Sequence, residues 1–474
     1  MRRWKKVSLG IVGIIIIAVG IGVGWSAKKI GPIGSGFVAR YICSSTFISD
    51  RDPATVYEED LKPVNPLAAF VSYTIDRKEK SVVGSMYGLS SLKAFYREGC
   101  GCSLVIDTTE KEMRAQKLVP PGFTENRPQR PEDLPWPAGS KATDASQVEG
   151  IDMARLAKAM DAAFAEPGPD NLRKTRAVVV VHDGKLVAER YAPGFHKDMP
   201  ILGWSMSKSV TNALVGILVK EGKLDIMQQA PVQEWQQADD PRREITIDQL
   251  LRMSSGLAFE EVYEPLADAT DMFYDSYEFA AFAAAKPLDA EPDTQWYYSS
   301  GTANIVARIV RQTVKEEYEY YYQFIYEKLF DRIGMYSAIF EPDSSGTFVG
   351  SSYAHATPRD WARFGQLYLQ DGVWEGERIL PEGWVSYTTT PTPGAPKGEY
   401  GAHFWLNAGN PDNPEDRRWP GSPRDEYEAT GFQEQKVIII PSKDLVLVRF
   451  GATSDRSAWD TDEFIQNVLA AFSS

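Results

Sequence analysis

Two strand–turn–strand stretches lying far apart in the chain constrain its fold more than any other feature. Ala177-Val178-Val179-Val180-Val181 and Leu186-Val187-Ala188-Glu189-Arg190-Tyr191 flank His182-Asp183-Gly184-Lys185, an Asp-Gly turn between two β-rich runs. That setting makes His182 a turn-flanking residue rather than a base. Near the C-terminus, Lys436 to Ile440 and Leu445 to Phe450 flank Pro441-Ser442-Lys443-Asp444 in the same manner. Between the two pairs the pattern is mostly helical, from Ser205 to about Leu329 and again over Pro358 to Leu369. Further helices are expected over Met153 to Phe164 and Thr461 to Phe472. The pattern predicts a mixed α/β (α+β) fold. One antiparallel sheet is built from both ends, flanked by helices and interrupted by a large helical insertion.

The N-terminus reads differently from the rest. Met1-Arg2-Arg3-Trp4-Lys5-Lys6 is basic, and Val7 to Ala27 carries no charge. Such a run of about 21 residues spans roughly 31 Å as a helix, enough for a bilayer core. Four basic residues precede it and Lys28 and Lys29 follow, which predicts a cytoplasmic N-terminus and export of the remainder. Trp25-Ser26-Ala27 is a poor cleavage site, so an uncleaved transmembrane anchor is expected over a removed signal peptide. The expected organisation is then a basic segment at 1–6, an anchor at 7–27, an α+β extension at 28–118, a connector at 119–148 and the regular region at 149–474. In the extension Ala68 to Ile75, Ser81 to Met86 and Ser103 to Ile106 look like strands. Pro120, Pro121, Pro128, Pro131, Pro135 and Pro137 make the connector stiff and extended, suited to wrapping the domain that follows.

Past Lys29 the chain has 45 basic against 65 acidic residues. A domain that acidic is a poor partner for nucleic acid or anionic lipid. Cys43 pairs in an oxidising compartment with either Cys100 or Cys102, leaving one thiol free. These three cysteines and the scattered His182, His196, His355 and His403 show no metal-ligand spacing, so no metal or cofactor is expected.

Chemistry concentrates in three stretches. In Gly203-Trp204-Ser205-Met206-Ser207-Lys208-Ser209-Val210, apolar residues at 206, 210, 213, 214, 217 and 218 recur at helical spacing, and Gly222 marks a stop. Ser205 therefore stands at a helix start, where free N–H groups and the dipole favour negative charge. Lys208 lies one turn on, on the same face. The same residues also describe a capping serine beside a solvated lysine. The second stretch, Gln295-Trp296-Tyr297-Tyr298-Ser299-Ser300-Gly301, is a turn leading into a helix; the third, Ala429-Thr430-Gly431-Phe432-Gln433, leads into the 436–440 strand.

Together these resemble the penicillin-recognising serine hydrolases: class C beta-lactamases, D-Ala-D-Ala peptidases, family VIII esterases and aminohexanoate-oligomer hydrolases, whose signature is S-x-x-K, then Y-x-N or Y-x-S, then a [KH]-[TS]-G or related strand. Ile245 to Leu257 and Thr357 to Leu369 match further recurrent stretches of that family. The resemblance spans roughly 150–474, says nothing of 30–148, and is closest in wording to the aminohexanoate-oligomer hydrolases and family VIII esterases. It implies the beta-lactamase/transpeptidase-like fold, with Ser205 as nucleophile, Lys208 as its neighbouring amine and Tyr298 as proton shuttle. Backbone N–H groups of Ser205 and Phe432 would form the oxyanion hole. Ser300, Thr430, Gly431 and Tyr274 would meet substrate. Either Lys208 or Tyr298 takes the proton.

Two positions depart from the family pattern. Ala429 replaces the cation that holds a substrate carboxylate, and Ser300 replaces an asparagine. Both favour a carboxylic ester or linear amide as substrate; the aromatics nearby (Tyr263, Phe273, Tyr274, Trp296, Tyr297) suggest a pocket for an apolar or linear acyl group, but most of them are expected to be core packing, with Tyr274 singled out for substrate contact. The competing enzyme reading is a D-Ala-D-Ala carboxypeptidase or weak beta-lactamase; the competing non-enzyme reading is a sensor of cell-wall fragments.

Overall fold

The computed structural model describes residues 28–143 and 148–472. A six-stranded antiparallel sheet forms its centre, in the order Trp405–Leu406, Tyr427–Gly431, Gln435–Ile440, Leu445–Gly451, Thr175–His182, Lys185–Tyr191. The two hairpins meet where Leu447 pairs with Val180 and Val448 with Val179, so the sheet is built from both ends of the region. Alternating side chains divide it into two faces. Val178, Val180, Ile438, Ile440 and Leu447 pack under the helices Met153–Phe164 and Thr461–Leu469. Val179, Val181, Val437, Ile439, Val446 and Val448 face the main core. There the helix Pro358–Leu369 crosses the sheet at Gly365, whose absent Cβ would lie 2.6 Å from Val446 Cγ1 and 2.8 Å from Val437 Cγ1. The helical insertion lies on this side and brings in Met206–Lys220 and Ser300–Val314, both almost wholly buried.

The expected transmembrane helix is not found among the described residues. Among the described residues no helix is long and apolar enough to cross a membrane. Residues 7–27, on which that expectation fell, lie outside the described residues. The described helix that follows them, Gly31–Phe47, has 17 residues and is packed in protein, with Arg40 buried in its midst.

That helix lies across a four-stranded antiparallel meander, Val71–Asp76, Ser81–Met86, Ser90–Arg97 and Gly101–Leu104. The sequence pattern had not indicated the helix or the strand Ser90–Arg97. The helix is buried on nearly every side and shows no amphipathic period. Its approach to the sheet requires glycine: a Cβ on Gly84 would sit 2.3 Å from Ser35 O. Pro66–Phe70 is a 3₁₀ turn rather than the start of a strand, because the Asn65 side chain accepts from Leu67 N and caps it. Cys43 pairs with Cys102, tying helix to meander, and burial pushes the free Cys100 thiol up to about 12.

The extension docks on the sheet-and-helix region through a buried carboxylate. Glu341 accepts from Ser44 Oγ and Cys102 N, both at 2.7 Å, and from Arg40 Nε at 3.4 Å. Arg40 also lies 3.6 Å from the centroid of the Tyr353 ring. The connector wraps the following domain, with Arg130 bonded to Asp360 at 2.6 Å and Arg363 donating to Pro137 O and Gly139 O at 2.8 Å each.

Candidate active site

Trp204 takes the left-handed conformation (φ +50°), uncommon for a bulky residue, and turns the chain sharply into the helix Met206–Lys220. Its ring sits between Tyr41 of the extension helix (5.9 Å), Tyr353 (6.1 Å) and Phe432 (5.6 Å, edge-on). Ser205 is the N-cap, yet its hydroxyl makes no capping bond, so the oxygen is not consumed by the helix end. Lys208 is 1% exposed. A capping serine and a solvated lysine therefore do not describe this pair.

Lys208 Nζ lies 3.3 Å from Ser205 Oγ, 3.1 Å from Ser300 Oγ and 3.1 Å from Ser351 O. It also sits 4.5 Å from the centre of the Tyr298 ring. None of these contacts is an anion. Burial pulls the amine down to about 8, against the opposing charge of Glu261. The Tyr298 phenol moves the other way, pushed up by burial and by Glu261, with its hydrogen bond to Ser205 opposing. Its ring is stacked on Trp405 at 5.3 Å and meets Tyr400 edge-on at 5.8 Å.

Ser299 caps the helix Ser300–Val314 by accepting from Thr302 N, which sets Ser300 in the first turn facing Lys208. Behind Ser300 stands Glu261, a residue the sequence did not single out. It accepts from Ser300 N at 2.7 Å, Ser300 Oγ at 2.6 Å and Tyr263 Oη at 2.7 Å. In sequence it is one acid among Glu260, Glu261 and Glu264 on a loop, and such a cluster reads as solvated surface.

Strand Tyr427–Gly431 ends directly against the Gly203–Trp204 turn. A Cβ on Gly431 would lie 2.1 Å from Gly203 O, so only glycine lets the two backbones meet. The following turn is held from behind by Gln435, whose Nε2 donates to Phe432 O at 3.0 Å and Gly451 O at 2.7 Å. The N–H groups of Ser205 and Phe432 donate to no acceptor among the described residues, which leaves both available to an oxyanion.

The fold thus gathers Ser205, Lys208, Tyr298, Ser300 and the Gly431–Phe432 backbone. Thr430 lies on the alternate face of its strand, paired in register with Lys436 and turned toward Glu428. Tyr274 packs edge-on against Phe37 of the extension helix at 6.2 Å, with its phenol beside that of Tyr353. It lines a narrow cleft with Phe37, Arg40 and Trp204 rather than the surroundings of Lys208. Ala429 is buried in the main core and supplies no charge. His403 Nδ1 donates to Lys208 O at 3.0 Å; burial, then the Lys208 charge, pull its ring down to about 3, a neutral structural histidine. Among the described residues no group of three His, Cys, Asp or Glu is placed to hold a metal ion.

The beta-lactamase family model matches residues 160–469. The 6-aminohexanoate-dimer hydrolase of Paenarthrobacter ureafaciens is 26% identical over 309 residues, covering 59% of this chain and 73% of that protein. A family VIII carboxylesterase structure superposes with TM-score 0.52 at 17% identity over 67% of this chain and 96% of its own. The octameric penicillin-binding protein homologue from Pyrococcus abyssi gives 0.51 at 16% identity, over 68% and 77%. The chain belongs to the beta-lactamase family and is a serine hydrolase of that family.

Proposed function

We propose that the protein hydrolyses a carboxylic ester or linear amide through an acyl-enzyme on Ser205. The observation that carries this reading is a buried lysine without an anion in contact, 3.3 Å from a serine hydroxyl that caps nothing. Neutral Lys208 removes the Ser205 proton as Oγ attacks the carbonyl carbon. The N–H groups of Ser205 and Phe432 hold the resulting oxyanion. The ammonium returns its proton to the departing alkoxide or amine, with the Tyr298 phenol beside Ser205 as the relay. Water then attacks the acyl carbon with the same groups in reverse and releases the acid. Lys208 is the better base of the two candidates, because burial and Glu261 both disfavour a Tyr298 phenolate.

The substrate class follows from what surrounds these atoms. Ala429 leaves the strand without the cation that would bind a substrate carboxylate. Tyr297 and Phe432 are half-exposed aromatic surfaces at the mouth, suited to an apolar chain. The named activities of an aminohexanoate-dimer hydrolase and a carboxylesterase among its relatives support linear amides and esters. The Cys43–Cys102 bond supports an oxidising, non-cytoplasmic location for the described part of the chain.

The test is labelling and turnover by the full chain. A fluorophosphonate should modify the peptide containing Ser205, and Ser205→Ala should lower kcat by several decades, roughly up to a millionfold. p-Nitrophenyl esters and short linear amides should be turned over faster than a chromogenic cephalosporin. Stoichiometric acylation without turnover would favour the sensor reading. A cephalosporin hydrolysed as fast as the best ester would favour the beta-lactamase or D-Ala-D-Ala peptidase reading.

A further inference from the structure

We propose that Glu261 is a positioning residue of the catalytic centre: by fixing the direction of the Ser300 hydroxyl proton, it turns the lone pair of Lys208 onto Ser205. The inference rests on reading Ser205 and Lys208 as nucleophile and base.

The argument is a count of donors and acceptors. A carboxylate only accepts, so the 2.6 Å contact between Ser300 Oγ and Glu261 Oε1 commits the single Ser300 proton to Glu261. The other carboxylate oxygen takes Ser300 N at 2.7 Å, so the two bonds clamp Ser300 by side chain and backbone together. Committed in this way, Ser300 Oγ presents only lone pairs to Lys208 at 3.1 Å and must be an acceptor there. Ser351 O, also 3.1 Å from Nζ, is a carbonyl and accepts in any case. Ser351 is itself steadied by its N–H donating to Asn304 Oδ1 at 3.3 Å. A neutral amine has two N–H bonds and one lone pair. The two acceptors use both N–H bonds, and the remaining contact, Ser205 Oγ at 3.3 Å, receives the lone pair. That is the orientation a general base requires. Without Glu261 the Ser300 hydroxyl is free to turn and donate to the amine, occupying the lone pair that should take the Ser205 proton.

Glu261 also acts by charge. Its field favours the ammonium form of Lys208. The groups around the amine are Ser205, Ser300, Ser351 O and the Tyr298 ring, with the neutral His403 bonded to the Lys208 carbonyl. Around Glu261 are Ser300, Tyr263 and Tyr297, the last accepting from Glu261 N at 3.2 Å. Arg456, exposed and paired with Glu434 at 3.6 Å, is a further cation whose charge reaches the Tyr298 phenol. Removing the Glu261 charge therefore lowers the pH at which Lys208 becomes neutral.

Glu261→Gln separates these effects from a structural role, since an amide offers one acceptor where the carboxylate offers two. The rate of fluorophosphonate labelling at Ser205 is followed against pH in the full chain, alongside thermal unfolding. The expected result is a plateau rate lowered about 10- to 100-fold, a part of the roughly 10²–10⁴-fold that a positioned general base contributes. The acid limb moves to lower pH and the melting temperature stays within a few degrees. Ser300→Ala, which removes the hydroxyl that Glu261 orients, should be slowed no further in its plateau by adding Glu261→Gln. Labelling at Ser205 with an unmoved limb and an unchanged plateau overturns the inference alone, as does a fall in rate that tracks a fall in melting temperature. Labelling of the wild type at another residue overturns the reading of the catalytic pair, and this inference with it.

Discussion

Two lysines of this protein are buried to the same degree, each 1% exposed, and their surroundings could hardly differ more. Lys436, on the strand Gln435–Ile440, lies 3.0 Å from Glu428 and 3.5 Å from Glu434, and Arg418 contacts the same Glu428 at 2.7 Å. Burial pushes the Glu428 carboxyl up, but Lys436 and Arg418 more than offset this and hold it below the ordinary range. Lys208 has only hydroxyls, a carbonyl and an aromatic face in contact, with its nearest carboxylate acting across Ser300. A counter-ion in contact makes a buried lysine part of the scaffold; its removal to second place lets burial lower the amine, as the role proposed for Lys208 requires. The difference is one of partners, since burial is common to both.

The comparison breaks first on activity. Lys208→Met should lower kcat by roughly three to five decades, comparable to losing other catalytic bases. Its melting temperature should hold or rise, because an amine buried without an anion is a cost to the fold. A large loss of stability in that variant would put Lys208 in the same class as Lys436. Lys436→Met should do the reverse: it leaves Glu428 without one of its two cations and costs about 3–5 kcal/mol of stability, read by denaturant titration. Activity per folded molecule should be retained.

A smaller effect separates the two by pH. The Lys208 amine drops from its ordinary value of 10.5 to about 8 on folding, so between those values the unfolded chain binds more protons than the folded one. Stability from this group therefore rises with pH across that window, by at most about 3 kcal/mol. The penalty is fully present below about 8 and gone above 10.5. Between pH 7 and 10 the unfolding free energy of the wild type should rise toward that of Lys208→Met, and parallel curves would show an amine that stays charged. Labelling of Ser205 should likewise climb through about pH 8 as the amine loses its proton. The smallest effect is expected at Phe432. Phe432→Ala keeps the N–H proposed for the oxyanion and removes a half-exposed ring, so kcat should change only a few-fold. A drop of about 100-fold or more, the size of losing an oxyanion donor, would show that the ring rather than the N–H matters.

How much of this was readable beforehand depended on the range over which each feature is encoded. The hairpins around Gly184 and Pro441 and the helices beginning at Met153, Met206, Ser300 and Pro358 carry their periodicity within a few turns of chain. The extension helix Gly31–Phe47 escaped because burial on all sides erased its amphipathic stripe. Glu261 escaped because its partner Ser300 is 39 residues away, and a carboxylate on a loop looks the same whether it faces water or a serine beside a buried lysine. The family resemblance points Tyr274 toward substrate, while the structure packs it against Phe37 of the extension helix, which that resemblance does not cover.

By itself the sequence determined the local chemistry: a serine and a lysine one helical turn apart, and a tyrosine at a helix start. Spacing along one helix or strand is enough to place such groups, since the backbone geometry repeats. Only the tertiary structure decided their ionic character. Which cysteine Cys43 meets, which lysine keeps a counter-ion and which serine is oriented by a carboxylate are outcomes of contacts between distant segments. Those contacts set the local dielectric and the neighbouring charges on which a proton's position depends.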